Sequence, residues 1–314
     1  MTYKAVIWGC GSIGALKGNY FDSPTTDAVL THAHAIYNNP NTELSGVVDE
    51  IDWKAKKAAE KWKTQIYDGM SEIDIAVIAV PTKQHVEVVT HVARHYMPKL
   101  ILVEKPVGSS LKECSEIVKI TSRYAIPVVV NYIRRFEPRH KLIAKAMSEE
   151  KQVYGCRVMY GRGLMHDGCH ALDLMNWWFG DIISCIRTNE IIDSQHGTSY
   201  GFAANYQRCP QVIFTPVDSK EVGLFEIDII SAAGLQSLSS NGSRYRTRSV
   251  KQGDAWGDYP SLSNVLTKTF KTQLTSAMEL LYNNIVSHLQ YYKPLHCTDV
   301  DAAKVWRAYD KIKN

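Results

Sequence analysis

The sequence predicts an α/β Rossmann domain with a doubly wound parallel sheet, followed by an α+β domain with an open, largely antiparallel sheet. Two observations support this. A chain of 314 residues is longer than a single small core requires. Short apolar runs alternate with helical spacing through residues 1–130, whereas residues 131–314 show longer alternating stretches. We therefore expect the domain boundary between residues 130 and 131.

Five brief apolar runs in the first domain are typical of buried parallel strands. They are Tyr3–Trp8, Leu44–Val48, Ile73–Val80, Leu100–Val103 and Val128–Val130. Helical spacing fills three of the intervals, at Ile51–Lys63, Gln84–Tyr96 and Ser110–Tyr124. This alternation of strands and helices predicts a parallel sheet.

The second domain has a different pattern. A helical segment that ends near Met147 precedes a predicted strand at Gln152–Gly161 and a helix at His170–Trp178. Period-two alternation then predicts antiparallel strands at Gly201–Tyr206, Gln211–Val217 and Gly223–Ser231. Two final helices are expected at Leu274–His288 and Thr298–Lys311, with packing against the first domain as one alternative.

Charge and composition narrow the class of protein. The net charge of +4 comes from basic residues scattered among acids, which disfavours nucleic acid as a partner. No apolar run approaches the length of a membrane span, and the first residues lack the pattern of a signal peptide. The seven cysteines are dispersed without a CxxC pair, so we expect reduced thiols, a cytoplasmic location and no metal site.

A glycine fingerprint follows the first predicted strand. The segment Gly9-Cys10-Gly11-Ser12-Ile13-Gly14 has the GxGxxG spacing and stands where a helix is expected to begin. Its glycines permit a tight turn, close approach of a pyrophosphate and close helix packing. The fingerprint predicts dinucleotide binding, with a chance glycine turn as the alternative.

Asp49 stands at the end of the second predicted strand. A carboxylate there can accept hydrogen bonds from both adenosine ribose hydroxyls, which favours NAD over NADP. The interval from Gly14 to Asp49 exceeds the usual spacing, and the polar segment Lys17–Leu30 accounts for the excess as an inserted loop. The alternative role for Asp49 is a helix N-cap before Trp53.

Four further segments resemble the Gfo/Idh/MocA family of glucose-fructose oxidoreductase and inositol dehydrogenase relatives. They are Glu104-Lys105-Pro106 after the fourth strand, Pro81–His85 after the third, Asn131–Pro138 at the crossover, and His170-Ala171-Leu172-Asp173. The resemblance spans nearly the whole chain. It implies a nicotinamide enzyme that binds its substrate between the cofactor and the second domain's sheet, and that forms homodimers or homotetramers.

The resemblance implies Lys105 and His170 as candidate catalytic residues. Lysine can stabilise a developing alkoxide, and histidine can exchange a proton near neutral pH. Asp173, one helical turn later, can hold His170, or it is an exposed helical acid. The inositol dehydrogenase pattern has Asp four residues before the motif histidine; here His166 takes that place, with Asp167 displaced by one. Which of Lys105, His166 and His170 accepts the proton is therefore left open.

Other candidate residues follow the third and fifth strands. By resemblance, Pro81, Thr82 and His85 lie near the nicotinamide ribose beside Glu104, although Thr82 or His85 can instead cap the next helix. Three residues of the crossover are candidates for substrate contact, with salt bridging as the alternative for the two arginines: Tyr132, Arg134 and Arg135. The Trp177-Trp178 pair fits helix packing better than a sugar-stacking platform.

The leading functional interpretation is oxidation of a sugar ring hydroxyl to a ketone with NAD. A nucleotide sugar such as UDP-N-acetylglucosamine, oxidised at its 3-position in amino-sugar or surface polysaccharide biosynthesis, is the sharper expectation. A free inositol or aldose dehydrogenase is the alternative, disfavoured by His166. An NAD-dependent glycosidase and a non-catalytic dinucleotide sensor are two further classes, and the sensor should lack Lys105 and His170.

Overall fold

A computed structural model describes residues 2–150, 152–254 and 257–313. The chain forms two compact units. Unit 1 comprises Met1–Phe136 and Thr275–Ala303, and unit 2 comprises Glu137–Leu274 and Lys304–Asn314. Each unit therefore contains one long segment and one shorter segment from nearer the end of the sequence. Among the described residues, no helix is long and apolar enough to cross a membrane.

Unit 1 contains a five-stranded parallel sheet with the order β2-β1-β3-β4-β5. The strands are β1 (Tyr3–Trp8), β2 (Thr42–Val48), β3 (Ile75–Ile78), β4 (Leu100–Val103) and β5 (Val128–Val130). The helices between them are α1 (His32–Asn38), α2 (Asp52–Trp62), α3 (His85–His95) and α4 (Leu111–Arg123). Strands β3 and β4 are buried along their whole length, which explains their continuous apolar sequences. The prediction of a doubly wound α/β domain is confirmed.

The strand order reverses direction at β1, which lies between β2 and β3. Ligands of such sheets bind at this switch point, outside the carboxyl ends of the strands. The strand ends are aligned, because Trp8 is in register with Val48 and Ile78, and Val103 with Val130. The residues that follow the strands consequently share one edge: Gly9, Asp49, Ala79, Glu104 and Asn131.

The predicted helix directly after the glycine fingerprint is wrong. Only one turn forms there, with the Ala15 N–H donating to the Gly11 carbonyl at 3.0 Å, and the regular helix α1 begins at His32. The backbone N–H groups of His32 and Ala33 donate to the carbonyls of Ile13 and Gly14, both at 3.0 Å. Helix α1 thus hydrogen-bonds directly to the first turn. The expected loop at residues 17–30 is the insertion between the two.

The insertion is held by a buried aspartate. The Asp22 carboxylate accepts the Leu30 N–H at 2.8 Å and the Thr31 hydroxyl at 2.7 Å, and it lies 2.9 Å from Nδ1 of His34. Lys61 donates its ammonium to the carbonyl of Asp22 at 2.7 Å. These contacts of the buried carboxylate hold the loop to the start of α1.

Unit 2 contains an eight-stranded sheet with the order β13-β12-β11-β10-β6-β9-β8-β7. The strands are β6 (Val153–Tyr160), β7 (Ile182–Asp193), β8 (Gly197–Tyr206), β9 (Cys209–Pro216), β10 (Phe225–Ser231), β11 (Gly234–Ser239), β12 (Arg244–Asp254) and β13 (Gly257–Lys271). Strands β6 and β9 are parallel, and the other neighbouring pairs are antiparallel. The prediction of a largely antiparallel sheet is confirmed.

The core of unit 2 lies on one face of this sheet. Phe202 and Phe214 stack with their ring centroids 4.2 Å apart, and Tyr160 contacts Phe214 edge-on. Helices α5 (Pro138–Glu149) and α6 (Cys169–Phe179) also belong to this unit, and His140 contacts Trp178. Burial of Trp178 agrees with the helix-packing interpretation of the tryptophan pair.

The last predicted helices are also present, as α7 (Ala277–Tyr291) and α8 (Asp299–Lys313). In contrast, β7 and β11–β13 are absent from the sequence interpretation. Their sequences lack a sustained alternation of apolar residues; β12, for example, places Arg244, Arg246 and Arg248 at alternate positions. Strand pairing rather than an apolar face defines these elements.

Candidate active site

A cavity of about 590 Å³ opens at the carboxyl edge of the parallel sheet in unit 1. Its lining includes most of the residues that the sequence assigns to a dinucleotide: Gly9, Gly11, Ser12, Ile13, Asp49, Pro81, Thr82, His85, Glu104 and Lys105. These residues come from four separate loops, which the strand order brings together. The cavity has the size of a small-molecule or cofactor site.

The three fingerprint glycines meet different requirements. Gly9 has φ +99°, and a Cβ there would lie 2.4 Å from the carbonyl carbon of Ala79. A Cβ on Gly14 would lie 1.9 Å from the carbonyl oxygen of Gly9, so Gly14 closes the turn without lining the cavity. Gly11 has open space around its Cα, on the side where a ligand can approach the backbone. This division of roles matches the dinucleotide turn.

Asp49 is joined directly to the glycine turn. Its Oδ2 accepts the Cys10 N–H at 2.7 Å and its Oδ1 accepts the Ile51 N–H at 2.9 Å. The cap of α2 is Ile51, without a side-chain capping bond, so Asp49 is not the N-cap of that helix. Burial raises the pKa of the neighbouring Cys10 thiol to about 12, and the nearby Asp49 charge adds to this shift. Cys10 therefore stays protonated and unreactive at neutral pH.

Glu104 is the centre of a buried polar network. Its Oε1 lies 2.9 Å from Nε2 of His32 and accepts the side-chain amide of Asn131 at 2.5 Å, and its Oε2 accepts the Lys105 N–H at 3.2 Å. The Tyr282 hydroxyl lies 3.1 Å from Nδ1 of His32. Burial alone would raise the pKa of Glu104, but the His32 contact, with help from Asn131 and Lys105, holds it below the ordinary value.

The loop after β3 brings a second histidine to the cavity. His85 begins α3 and is buried, with Nε2 3.0 Å from the carbonyl oxygen of Val80. Burial lowers the pKa of His85, which keeps the ring neutral at pH 7. Thr82 lies in a short 3₁₀ turn before this helix, where no side-chain capping bond is made, so capping does not account for Thr82.

The crossover residues after β5 are largely internal. Tyr132 is fully buried, and Arg135 is buried with Nη1 3.1 Å from Asp301 and 3.4 Å from the carbonyl oxygen of His296. Arg134 is partly exposed in the same 3₁₀ turn. The geometry therefore favours the salt-bridge alternative for Arg135, and its partner lies in unit 1.

The motif histidines lie in unit 2. His166 and Asp167 belong to a π-helical turn at Gly163–Gly168 that precedes α6, and Nδ1 of His166 is 3.0 Å from Oδ1 of Asp167. Such π-helical turns occur frequently at functional sites. His170 is partly exposed in the first turn of α6, whereas Asp173 is fully buried, so the alternative of an exposed helical acid is wrong.

Sequence reasoning missed three residues that shape these sites. His32 and Tyr282 complete the Glu104 network, and His196 lies beside His166 with the two ring centroids 4.6 Å apart. The insertion places His32 far from the fingerprint in sequence, and Tyr282 is 250 positions from His32. A buried histidine so distant from its partners carries no local signal that could have identified it.

Comparison with known proteins identifies the class. Residues 3–132 match the sequence model of the oxidoreductase family with an NAD-binding Rossmann fold, Gfo/Idh/MocA. The match covers the first domain, and the motifs of that domain are similar to those of the Gfo/Idh/MocA oxidoreductases.

Individual relatives are more distant. Inositol 2-dehydrogenase of Rhizobium meliloti (strain 1021) is 25% identical over 154 residues, which cover 48% of this chain and 42% of that enzyme. The match thus spans less than half of that relative's length.

Two solved structures share the fold over almost the whole chain. One is a UDP-N-acetylglucosamine 3-dehydrogenase from Acidithiobacillus ferrooxidans, with 14% identity, a TM-score of 0.75, and coverage of 99% of this chain and 97% of that one. The other is an oxidoreductase from Agrobacterium radiobacter in complex with NAD⁺, L-tartaric acid and magnesium, with 15% identity, a TM-score of 0.74, and coverage of 100% and 97%. At these identities the likeness concerns the fold alone.

Proposed function

We propose that the protein is an NAD-dependent dehydrogenase that oxidises a sugar ring hydroxyl to a ketone. The leading substrate is a nucleotide sugar such as UDP-N-acetylglucosamine, oxidised at its 3-position. The observation that carries this proposal is the cavity of unit 1, where the glycine turn, Asp49 and Lys105 share one lining. The activities of the similar inositol 2-dehydrogenase and of the structurally similar UDP-N-acetylglucosamine 3-dehydrogenase agree with oxidation of a CH–OH group.

The residues of this cavity fit a dinucleotide. The open backbone at Gly11 can approach a pyrophosphate, whereas Gly9 and Gly14 occupy positions without room for a side chain. The Asp49 carboxylate suits the two ribose hydroxyls of NAD and would repel the additional phosphate of NADP. When bound, NAD supplies the acceptor for the substrate hydride.

The chain's own residues must handle the hydroxyl proton. We assign Lys105 to the reacting oxygen, because its ammonium would stabilise negative charge on that oxygen. The ionised Glu104 directly precedes Lys105 and accepts its backbone N–H at 3.2 Å. His170 and His166 are the candidate proton acceptors in unit 2, and Asp167 is placed to hold the ring of His166.

The remaining assignments concern ligand contacts. Neutral His85, with Pro81 and Thr82, is assigned to the nicotinamide side of the cavity, where it adds no charge. Tyr132 and Arg134 are retained as candidate substrate contacts, whereas the internal salt bridge of Arg135 argues against that role.

An inositol or aldose dehydrogenase is the second candidate function. The similarity to inositol 2-dehydrogenase favours it. The departure from the inositol pattern at His166 argues against it, because an imidazole replaces the carboxylate expected at that position.

A spectrophotometric assay separates these candidates. Purified protein is offered NAD or NADP with UDP-N-acetylglucosamine, free glucose or myo-inositol, and absorbance of the reduced nicotinamide is followed. We expect NADH with the UDP-sugar, and loss of the signal in Lys105→Ala and His170→Ala but not in Lys112→Ala, which alters an exposed lysine on α4. Reduction with myo-inositol alone would replace the proposed substrate with the second candidate.

Two broader assignments belong to the same proposal. None of the seven cysteines, all of which lie in the described part of the chain, forms a disulfide bond. Reduced thiols fit the cytoplasm, and localisation of a tagged full-length chain would test this. We also assign the protein to homodimers or homotetramers, for which light scattering of the purified chain gives the mass directly.

A further inference from the structure

A second cavity, of about 440 Å³, lies entirely within unit 2. We call it the hairpin cavity, because the turn between β7 and β8 forms one of its walls. Its lining includes Arg162, Asp193, Gln195, His196, Ser219 and Lys220. All of these side chains are polar, which distinguishes this cavity from an apolar packing defect.

The acidic group of the hairpin cavity is already satisfied. The Asp193 carboxylate accepts the N–H groups of Gln195 at 2.8 Å and His196 at 3.0 Å, and the Ser219 hydroxyl at 2.8 Å. Its Oδ2 also lies 3.0 Å from Nδ1 of His196. The bond with His196, followed by the others, holds the pKa of Asp193 far below its usual range. Asp193 therefore fixes the hairpin and the His196 ring.

The two basic side chains of the hairpin cavity have fewer or longer polar contacts than Asp193. The Arg162 guanidinium is about half exposed (47%), and its contacts among the described residues are long, at 3.5 Å to Asp167 and 3.4 Å to Nε2 of His196. Lys220 is exposed, and its ammonium makes no ion pair within the described part of the chain. Its neighbour Asp218 accepts the Lys220 backbone N–H at 2.9 Å.

The backbone holds Arg162 at this cavity at a conformational cost. Arg162 has φ +59° and ψ +44°, a left-handed conformation that non-glycine residues seldom adopt. The next residue, Gly163, has φ +74°, and a Cβ there would lie 2.0 Å from the carbonyl oxygen of His196. Strained residues of this kind persist where surrounding contacts impose them, often at functional sites.

We propose that the hairpin cavity binds a phosphate or diphosphate group of the substrate, with Arg162 and Lys220 as the recognising residues. A guanidinium fork matches two phosphate oxygens, and the lysine adds a second positive charge. The fixed His196 and the Gln195 amide supply further polar contacts. This inference rests on the proposed function, since it explains how a nucleotide sugar would be distinguished from a free polyol.

Direct binding tests the inference without hydride transfer. Titration calorimetry compares UDP, inorganic pyrophosphate and uridine on the full chain. We expect UDP and pyrophosphate to bind and uridine to bind at least about tenfold more weakly, as loss of charge-assisted contacts predicts. Equal affinity for uridine and UDP would overturn the assignment.

Variants identify the cavity. Arg162→Ala and Lys220→Ala should each weaken pyrophosphate binding about tenfold, a loss typical of one charged hydrogen bond. Arg162→Asn is a second variant. Asparagine tolerates the left-handed backbone, so weak binding in this variant cannot be ascribed to a change of backbone conformation. Arg157→Ala is the matched control, because Arg157 pairs with Asp228 at 2.8 Å outside the cavity, and binding should be unchanged.

Kinetics separate this inference from the proposed function. If the UDP-sugar is oxidised, Lys220→Ala should raise KM with little change in kcat, because the diphosphate is attached to carbon 1 of the sugar and not to the reacting carbon. Oxidation of the UDP-sugar with unchanged KM in Arg162→Ala and Lys220→Ala would refute phosphate binding at the hairpin cavity and leave the proposed function standing. Arg162-dependent pyrophosphate binding without oxidation of any UDP-sugar would instead support the cavity and refute the proposed substrate.

Discussion

His32 Nε2 lies 2.9 Å from Oε1 of Glu104; the His32 side chain is fully buried and that of Glu104 is 12% exposed. The histidine begins a helix that an insertion separates from the glycine turn, and the glutamate directly precedes Lys105. The contact thus links the insertion to the residue proposed to act on the substrate oxygen. It also makes the ionised state of Glu104 dependent on a residue outside the recognised motifs.

Replacement of His32 should destabilise unit 1. His32→Ala leaves the Glu104 carboxylate with one fewer charge-assisted hydrogen bond, which should lower the free energy of unfolding by about 2–3 kcal/mol. Urea denaturation measures this loss. Tyr282→Phe is the matched control, since it removes only the hydroxyl contact to Nδ1 of His32 and should cost about 1 kcal/mol. Equal stability of His32→Ala and the unmodified protein would contradict the network.

The lowered pKa of Glu104 predicts a specific acid dependence. A carboxyl whose pKa is lower in the folded state stabilises the fold above its unfolded pKa, about 4.3, and loses this contribution as the pH falls through the folded value. Glu104→Gln removes the titrating group. Its melting temperature should therefore fall less steeply than that of the unmodified protein as the pH is lowered below about 4.3. If the melting temperatures of Glu104→Gln and the unmodified protein fall equally steeply with pH, this role of Glu104 is refuted.

The glycine turn predicts two distinct defects. Gly14→Ala should lower the melting temperature, because its Cβ would collide with the Gly9 carbonyl oxygen. Gly11→Ala should fold normally, since its Cβ meets no atom within 4 Å, but should bind NAD at least about tenfold more weakly if the pyrophosphate approaches there. Calorimetry and thermal melting measured on both variants separate the two effects. Undiminished NAD binding by Gly11→Ala would exclude this turn as the cofactor contact.

Asp49 should determine coenzyme preference. Asp49→Ser removes the negative charge and should shift the ratio of kcat/KM for NAD over NADP by about tenfold or more toward NADP. Asp49→Asn keeps the size of the side chain and should shift the ratio in the same direction, because charge is the cause. The Cys10 and Ile51 N–H contacts are partly lost in both variants, so a fall in stability shared by the two is expected. An unchanged coenzyme ratio would show that another residue selects the dinucleotide.

The insertion should depend on Asp22. Asp22→Ala removes contacts to Leu30, Thr31 and His34 at once, and about 2–4 kcal/mol of stability should be lost because buried donors are left without an acceptor. Limited proteolysis should then cut within residues 17–30, which the unmodified protein should resist. Asp27→Ala, at an exposed position of the same loop, is the control and should leave the cleavage rate unchanged.

The sequence predicts the parallel sheet of unit 1 well, because its strands coincide with short, mostly apolar runs and its glycine fingerprint follows β1 directly. The long interval from Gly14 to Asp49 predicts the inserted loop at Lys17–Leu30, but nothing in the sequence shows that the regular helix begins only after this loop, at His32. The polar strands β12 and β13 are missed because the backbone pairing of β12 with β11 and β13, and not a continuous apolar sequence, defines them. Local patterns thus identify buried elements and miss those defined by neighbours.

The residues of the candidate sites also fall into those that local sequence identifies and those that it does not. Motif residues such as Asp49 and Lys105 are found because each follows a strand at a known edge. His32 and Arg162 are not, because their roles depend on partners 72 and 34 positions away. Such contacts become visible only once the chain is folded.

The most direct test of the central claim is deuterium transfer from UDP-N-acetylglucosamine labelled at carbon 3, with the reduced cofactor examined by mass spectrometry. We predict deuterated NADH from the unmodified protein, and none from Lys105→Ala although that variant still binds NAD. Binding of NAD without deuterium transfer, under conditions where an unlabelled position or another sugar is oxidised instead, would contradict the assigned carbon. Failure to reduce NAD with any sugar or polyol would contradict the dehydrogenase itself.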